Sequence, residues 1–295
     1  MTEHPIDKKR AIKLQVKRYV LGNFLGMYRS VFRGKGVDYD EIRKYVPGDD
    51  PKSLVWAKFA QLGEPYVKTY LEERDLSVIV AVDTSGSVFW ARPEKAKIAL
   101  EAAATLIFSA AISRDRVGLA LFSDDLEEFV PPRRGVPQAG KLVEKLAGIG
   151  VGVRRTFLAK SLRSIGARRG PKRSVMVIIS DFISDDDGWQ NVLASLAEHN
   201  DVIALKVVDR WEGDPPTLGW VYAKDSETGE NHLVNCDRAF HSQMQEQLIQ
   251  QRNELNRVAT QHNIGSVELA EGQDAVKVLR AFFDRRRRLL RRGSA

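Results

Sequence analysis

Val78 to Val88 reads VIVAVDTSGSV, an unbroken apolar run that passes directly into an Asp-x-Ser-x-Ser loop. A strand that is apolar at consecutive positions must be covered on both faces, which is the situation of a buried parallel strand. A second such run, Val175 to Ser180 (VMVIIS), ends in Asp181. Around them strand-like and helix-like patterns alternate. Strands are expected at Val117–Phe122, Val202–Val208 and Ser266–Leu269, with Leu126–Val130 as a hairpin return. Helices are expected near Glu94–Ser113, Gln138–Leu146, Leu158–Arg168, Trp189–His199, Phe240–His262 and Ala275–Leu290. This alternation predicts an α/β fold with a doubly wound, mostly parallel six-stranded sheet. In a sheet of order 3-2-1-4-5-6 the first and fourth strands are neighbours, and ligands bind beyond their carboxyl ends. Asp83 and Asp181 then meet across that crevice.

Asp83, Ser85 and Ser87 occupy alternate positions, so a turning backbone can aim three hard oxygen groups at one point, a set suited to magnesium, manganese or calcium. Taken alone, the loop is also compatible with a plain Ser/Gly turn capped by its aspartate. Thr156, opening the segment that runs through Phe157, Leu158, Leu162 and Ile165, places a hydroxyl at a helix start, where it is also an ordinary N-cap. Two carboxylates about 4 Å apart repel by roughly 4 kcal/mol at an effective dielectric near 20. A bound cation removes that conflict.

Together, Asp83-Thr84-Ser85-Gly86-Ser87, Thr156 and Asp181 resemble the metal-ion-dependent adhesion site of von Willebrand factor A domains, with Arg154 and Arg155 standing before Thr156 where that family usually has glycine. The resemblance implies that the serines and threonine bind the ion directly. It implies that the aspartates bind it directly or through water, and that a partner's acidic side chain completes the shell. Upstream, Arg33-Gly34-Lys35-Gly36, Tyr45-Val46-Pro47-Gly48-Asp49-Asp50-Pro51, Trp56, Ala57, Lys68 and Glu72-Glu73-Arg74 resemble the bacterial DUF58 family, and the similarity extends down to Asp225-Ser226-Glu227-Thr228-Gly229. That resemblance implies a protein-binding module acting as adaptor or co-chaperone beside a MoxR-type AAA+ ATPase and its protein clients.

The chain of 295 residues is read as a family-specific segment over 1–75, an A-type domain over 76–284 with an inserted β-hairpin near 211–236, and a basic tail over 285–295. Tyr45, Trp56 and Arg43 are expected to pack the first segment against the domain. Trp211, Trp220 and Tyr222 in the hairpin suit either a partner or a core. Six arginines between Arg285 and Arg292 account for six of the net charge of +7. With Lys8, Lys9, Arg10, Lys13, Lys17 and Arg18 they offer peripheral contact with an anionic membrane, against the plainer reading of solvated helix faces. Basic residues are not interleaved with aromatics elsewhere, which argues against specific nucleic-acid binding. The single cysteine, Cys236, excludes a disulfide framework, the start lacks the apolar core of a signal peptide, and Glu101 and Thr105 break the longest apolar stretch. A cytoplasmic chain is expected.

Catalytic signatures are missing. A phosphatase of the haloacid-dehalogenase type needs a second aspartate two residues after the nucleophile, and Ser85 stands there. There is no phosphate-binding Gly-rich loop, no Gly-x-Ser-x-Gly elbow and no His-Glu-x-x-His pair, and the five histidines are scattered. Asp185, Asp186 and Asp187 are candidates for a base or, more simply, for caps of the following helix. The expectation is a binding protein rather than an enzyme.

Overall fold

Continuous apolar strands and one alanine-rich helix dictate the architecture, seen in a computed structural model that describes residues 41–69, 76–89, 93–150, 152–184, 186–209 and 219–292. The strands are β1 Glu41–Lys44, β2 Tyr66–Thr69, β3 Ser77–Asp83, β4 Arg116–Phe122, β5 Leu126–Arg133, β6 Val175–Ser180, β7 Asp201–Val208, β8 Gly219–Lys224, β9 Asn231–Cys236 and β10 Gly265–Ala270. The helices are α1 Trp56–Leu62, α2 Gly86–Phe89, α3 Pro93–Ile112, α4 Val136–Ala147, α5 Leu158–Arg168, α6 Trp189–His199, α7 Arg238–Gln261 and α8 Ala275–Arg292.

The central sheet has the order β10-β7-β6-β3-β4-β5. Every pair is parallel except β4 with β5. This is the doubly wound order expected from the sequence, with β3 and β6 adjacent where the winding reverses. Side chains of β3 alternate between two cores. Val78, Val80 and Val82 face α3, α4 and α8, while Ile79 and Ala81 face α5, α6 and α7. Helix α3 lies flat on the first face because Ala99, Ala102, Ala103 and Ala110 present almost no bulk there. Its buried Thr105 and Ser109 hydroxyls donate to the carbonyls of Glu101 and Thr105, 2.7 and 2.6 Å away, so the helix carries them without an outside partner.

Strand β5 closes one edge and tolerates Pro131 and Pro132 because an edge strand need not donate outward. A register shift falls between Val117 and Leu119. Gly118 sits in it, where a Cβ would lie 2.6 Å from the Val130 carbonyl. The arginine run expected as a tail continues α8. There Arg286 pairs with Asp201 at the start of β7, and Arg287 pairs with Asp284. No helix among the described residues is long and apolar enough to cross a membrane.

The segment before the domain departs from expectation. Strands β1 and β2 pair antiparallel around α1, but α1 buries none of its residues and Trp56 is 68% exposed. Trp56 stacks edge-on against Phe59 instead of entering a core, and Val67 on β2 is the buried anchor. Polar contacts hold the turn without apolar burial: the Arg43 guanidinium donates to both Asp49 oxygens, at 2.8 and 2.5 Å, and Val46 N–H donates to Asp49 at 2.9 Å. Lys8 to Arg18, Arg33 to Gly36, Glu72 to Arg74 and Trp211 lie outside the described residues.

Helix α8 anchors to the sheet through one large buried side chain. Phe283 is 1% exposed in the core shared with α3. Phe283→Ala is expected to cost about 3–5 kcal/mol in urea unfolding, whereas Arg288→Ala on the exposed side of the same helix stays within about 0.5 kcal/mol.

Candidate metal centre

Strand β3 delivers Asp83, fully buried, to the end of the sheet beside β6. In register, Val82 pairs with Ile179, so Asp83 lies beside Ser180 and Asp181 comes one step further. The Ser180 hydroxyl donates to Asp83 Oδ2 at 2.6 Å, and Ser85 N–H donates to Oδ1 at 2.9 Å. Ser85 and Ser87 then bring their hydroxyl oxygens to 3.1 Å from each other. Thr84 points away, its hydroxyl 2.9 Å from Glu127 on β5.

Asp181 is 1% exposed. Its Oδ1 accepts from Ile183 N–H at 3.1 Å, and its Oδ2 accepts from the ammonium of Lys95, near the start of α3, at 2.8 Å. Both side chains of that ion pair are buried. The chain turns sharply here, because Phe182 takes φ 58°, a left-handed conformation unusual outside glycine, and its ring packs on Trp189.

Thr156 is fully buried and caps no helix. The first turn of α5 is satisfied by the loop after β6. Ser184 Oγ accepts from Leu158 N–H at 3.0 Å, and Asp186 accepts from Ala159 and Lys160 N–H at 3.0 and 2.9 Å. Asp186 therefore caps α5, which precedes it, and not the following α6, whose N-cap is Gly188. This frees the Thr156 hydroxyl. Its backbone N–H and its Oγ1 both reach Glu227 in the turn between β8 and β9, at 3.2 and 3.0 Å. Of the two arginines that stand before Thr156, Arg154 pairs with Glu127, and its carbonyl accepts from Gly86 N–H at 2.9 Å.

Asp83, Ser85, Ser87 and Asp181 thus lie at the ends of β3 and β6 with Ser180 and Lys95, which were not picked from the sequence, while Thr156 bonds Glu227, also not picked, and its segment joins the loop through the Arg154 carbonyl and Gly86 N–H. Burial, and after it the neighbouring Asp181 carboxylate, push the Asp83 carboxyl up to about 7, against the opposing pull of the Ser180 and Ser85 hydrogen bonds. The donor set is all oxygen, with no nitrogen or sulfur ligand, which is the chemistry of hard divalent cations. The Ser85–Ser87 hydroxyls at 3.1 Å and the Thr156–Glu227 pair at 3.0 Å are hydrogen-bonded to each other, and among the described residues no three His, Cys, Asp or Glu side chains are grouped closely enough to hold a metal ion by themselves, so the hydroxyls are an essential part of the donor set.

The family model described as "Protein of unknown function DUF58" matches residues 41–254. The chain belongs to the DUF58 family. It is similar to the uncharacterized protein Rv1480 of Mycobacterium tuberculosis, 29% identical over 238 residues that span 78% of this chain and 74% of that one. Among solved structures, BatB of Bacteroides thetaiotaomicron is 15% identical, covering 72% of this DUF58 chain and 99% of its own, with a TM-score of 0.46. An aerotolerance-related membrane protein of Bacteroides fragilis is 16% identical over 71% of this chain and 99% of its own, with a TM-score of 0.45. Proximal thread matrix protein 1 of the mussel byssus, solved with a zinc-occupied MIDAS motif, is 16% identical over 71% of this chain and 47% of its own, with a TM-score of 0.46.

A carboxyl raised in the folded state holds its proton where the unfolded chain has lost it, so folding becomes less favourable as pH rises from the unfolded value toward the folded one. The metal-free protein is expected to lose several degrees of thermal stability between about pH 5 and 7.5. Asp83→Asn is expected to flatten that slope in a melting series run in chelator. Lys95→Met leaves Asp181 buried without its cation and is expected to cost about 3–5 kcal/mol in chelator. Part of that loss returns on adding magnesium, measured as a shift in urea midpoint.

Proposed function

We propose that this DUF58 protein is a non-catalytic, divalent-cation-dependent protein-binding module that serves a MoxR-type AAA+ ATPase as adaptor or co-chaperone for protein clients. The observation that supports the reading is the placement of Asp83, Ser85, Ser87 and Asp181 at the switch point, with Thr156 on the adjoining segment already bonded to a carboxylate. Ser85, Ser87 and Thr156 hold the ion, while Asp83 and Asp181 balance its charge. The ion, magnesium or the similarly hard manganese or calcium, supplies a position at which an acidic side chain of a partner binds.

The non-catalytic part of the reading is supported by how the acidic groups are used. Asp83 has no exposed surface and both its oxygens accept hydrogen bonds, unlike a carboxylate waiting to attack a substrate. Asp186 is committed to the first turn of α5. The ATPase partner rests on the family resemblance and the cytoplasmic placement on the composition of the chain, and the arginines of α8 are the described part of any peripheral membrane contact.

A second reading, in which a structural module with a vestigial metal site docks through Trp56 or the hairpin, is favoured by the exposure of Trp220 (68%) and Tyr222 (83%). One set of variants separates the two. Calorimetric titration with magnesium and manganese is expected to show saturable binding that disappears in the Asp83→Ala, Ser85→Ala double variant. Capture of the ATPase is expected to fall in parallel and to fall with chelator. Capture that survives both, yet is lost in Trp220→Ala, Tyr222→Ala, would move the second reading ahead.

A further inference from the structure

The crevice carries a carboxylate of its own. Glu227 reaches Thr156 from 71 positions away, accepting at Oε1 from the hydroxyl and at Oε2 from the backbone N–H. A threonine hydroxyl that gives its proton to a carboxylate keeps its lone pairs for a cation. The turn that presents Glu227 is itself built tightly. Asp225 Oδ1 accepts from Glu227 N–H at 2.7 Å and from Thr228 N–H at 3.2 Å. Asp225 N–H donates to the Glu230 carbonyl at 2.8 Å, and Gly229 N–H donates to the Asp225 carbonyl at 3.0 Å. The same turn lies directly on the ion-binding loop: a Cβ at Gly86 would fall 1.8 Å from the Ser226 carbonyl oxygen. Only a residue without a side chain lets the hairpin approach this closely. On the other flank, Gly229 takes φ 76° against Val153.

The arms of the hairpin contrast with its tip. Trp220, Tyr222 and Leu233 are exposed, whereas Ser226 and Glu227 are half-buried in the crevice. The contact with the domain is thus made chiefly by the residues that surround Glu227, and the donor that Glu227 meets, Thr156, is one of the five expected to hold the ion.

We infer that Glu227 is a tethered ligand of the same cation, occupying the position at which a partner's acidic side chain binds, so that the β8–β9 hairpin closes the site until it is displaced. This rests on the metal-centre reading above. A carboxylate on a short tether acts at an effective concentration on the order of millimolar, so an acidic partner has to outcompete it or lift the hairpin.

The test uses the full chain and Mn2+ as probe, with water-proton relaxation counting exchangeable waters on the bound ion and calorimetry giving affinity. Glu227→Ala is expected to add one water to bound Mn2+ and to let acetate displace it, while the wild type does not respond to acetate. Glu227→Gln keeps one acceptor oxygen for Thr156 N–H, turns the other terminal atom into a donor to the Thr156 hydroxyl and loses the charge, and is expected to weaken Mn2+ binding about tenfold, the loss of one charge-assisted contact. A purely structural role for the hairpin contact would leave the Gln variant unchanged. In the wild type, Mn2+ is expected to slow hydrogen exchange at residues 225–229, which needs no variant. Wild-type affinity and water count in both variants would overturn this inference and leave the metal centre standing. Folded wild type that binds no Mn2+ would overturn both.

Discussion

Two carboxylates at the ends of adjacent parallel strands cannot both lose their protons in a dry crevice without a compensating charge, and the arrangement around β3 and β6 answers to that constraint. Asp83 and Asp181 are brought together by the sheet order, which the apolar character of the strands imposes. Once there, each is handled differently. Asp83 receives neutral donors, from Ser180 and Ser85, and holds its proton toward neutral pH; Asp181 receives the ammonium of Lys95. Neutral hydrogen bonds stabilise a buried anion less than an ion pair does. The residual conflict therefore sits on Asp83, the residue that begins the Asp-x-Ser-x-Ser loop.

Rigidity around the crevice follows from the same need. A site that gathers like charges keeps them in place only if the backbone cannot relax. The supports are distributed over four loops: Glu127 holds Arg154 and Thr84, the Arg154 carbonyl holds Gly86, Asp186 ties the loop after β6 to α5, and the left-handed Phe182 is locked against Trp189. Each fixes a segment that carries or adjoins one of the candidate residues.

The sheet was legible because a parallel strand covered on both faces leaves a short, β-branched apolar run such as VIVAV or VMVIIS, which recurs here between helix-length segments, and strand ends followed from where the runs stop. The five candidate ligands were legible because their chemistry is local to those ends. Lys95 and Glu227 were not, since they arrive from 86 and 71 positions away and carry no mark of their destination within their own elements. Glu227 had one signal, its place in the Asp225–Gly229 pattern shared with the family, but that pattern reads as a polar turn and names no target. The cap made by Asp186 was misassigned for a related reason. Thr156 and Asp186 both suit an N-cap by type, and only the tertiary path of the loop after β6 decides that Asp186 caps the helix before it, leaving Thr156 to the crevice. Trp56 was expected inside because aromatic residues usually bury, yet pattern alone does not say toward which side a seven-residue helix turns its rings.

Charge balance explains why the hairpin's carboxylate matters beyond filling space. Asp83, Asp181 and Glu227 together with Lys95 leave two negative charges when all are ionised, which one divalent cation neutralises. Removing Glu227 from the set leaves one negative charge against the two positive charges of the ion, which is then under-compensated by the protein and in want of an anion. Replacing Glu227 by a partner's carboxylate then changes no net charge inside the crevice, so electrostatics alone does not favour the partner over the tether. Discrimination has to come from the surface surrounding the exchanged group, where area and shape set affinity. On this face that surface includes the hairpin's own exposed Trp220, Tyr222 and Leu233, the aromatic and aliphatic types from which binding energy is most readily drawn. A partner that engages them acts on the same element that carries Glu227, and recognition and opening of the site become one event.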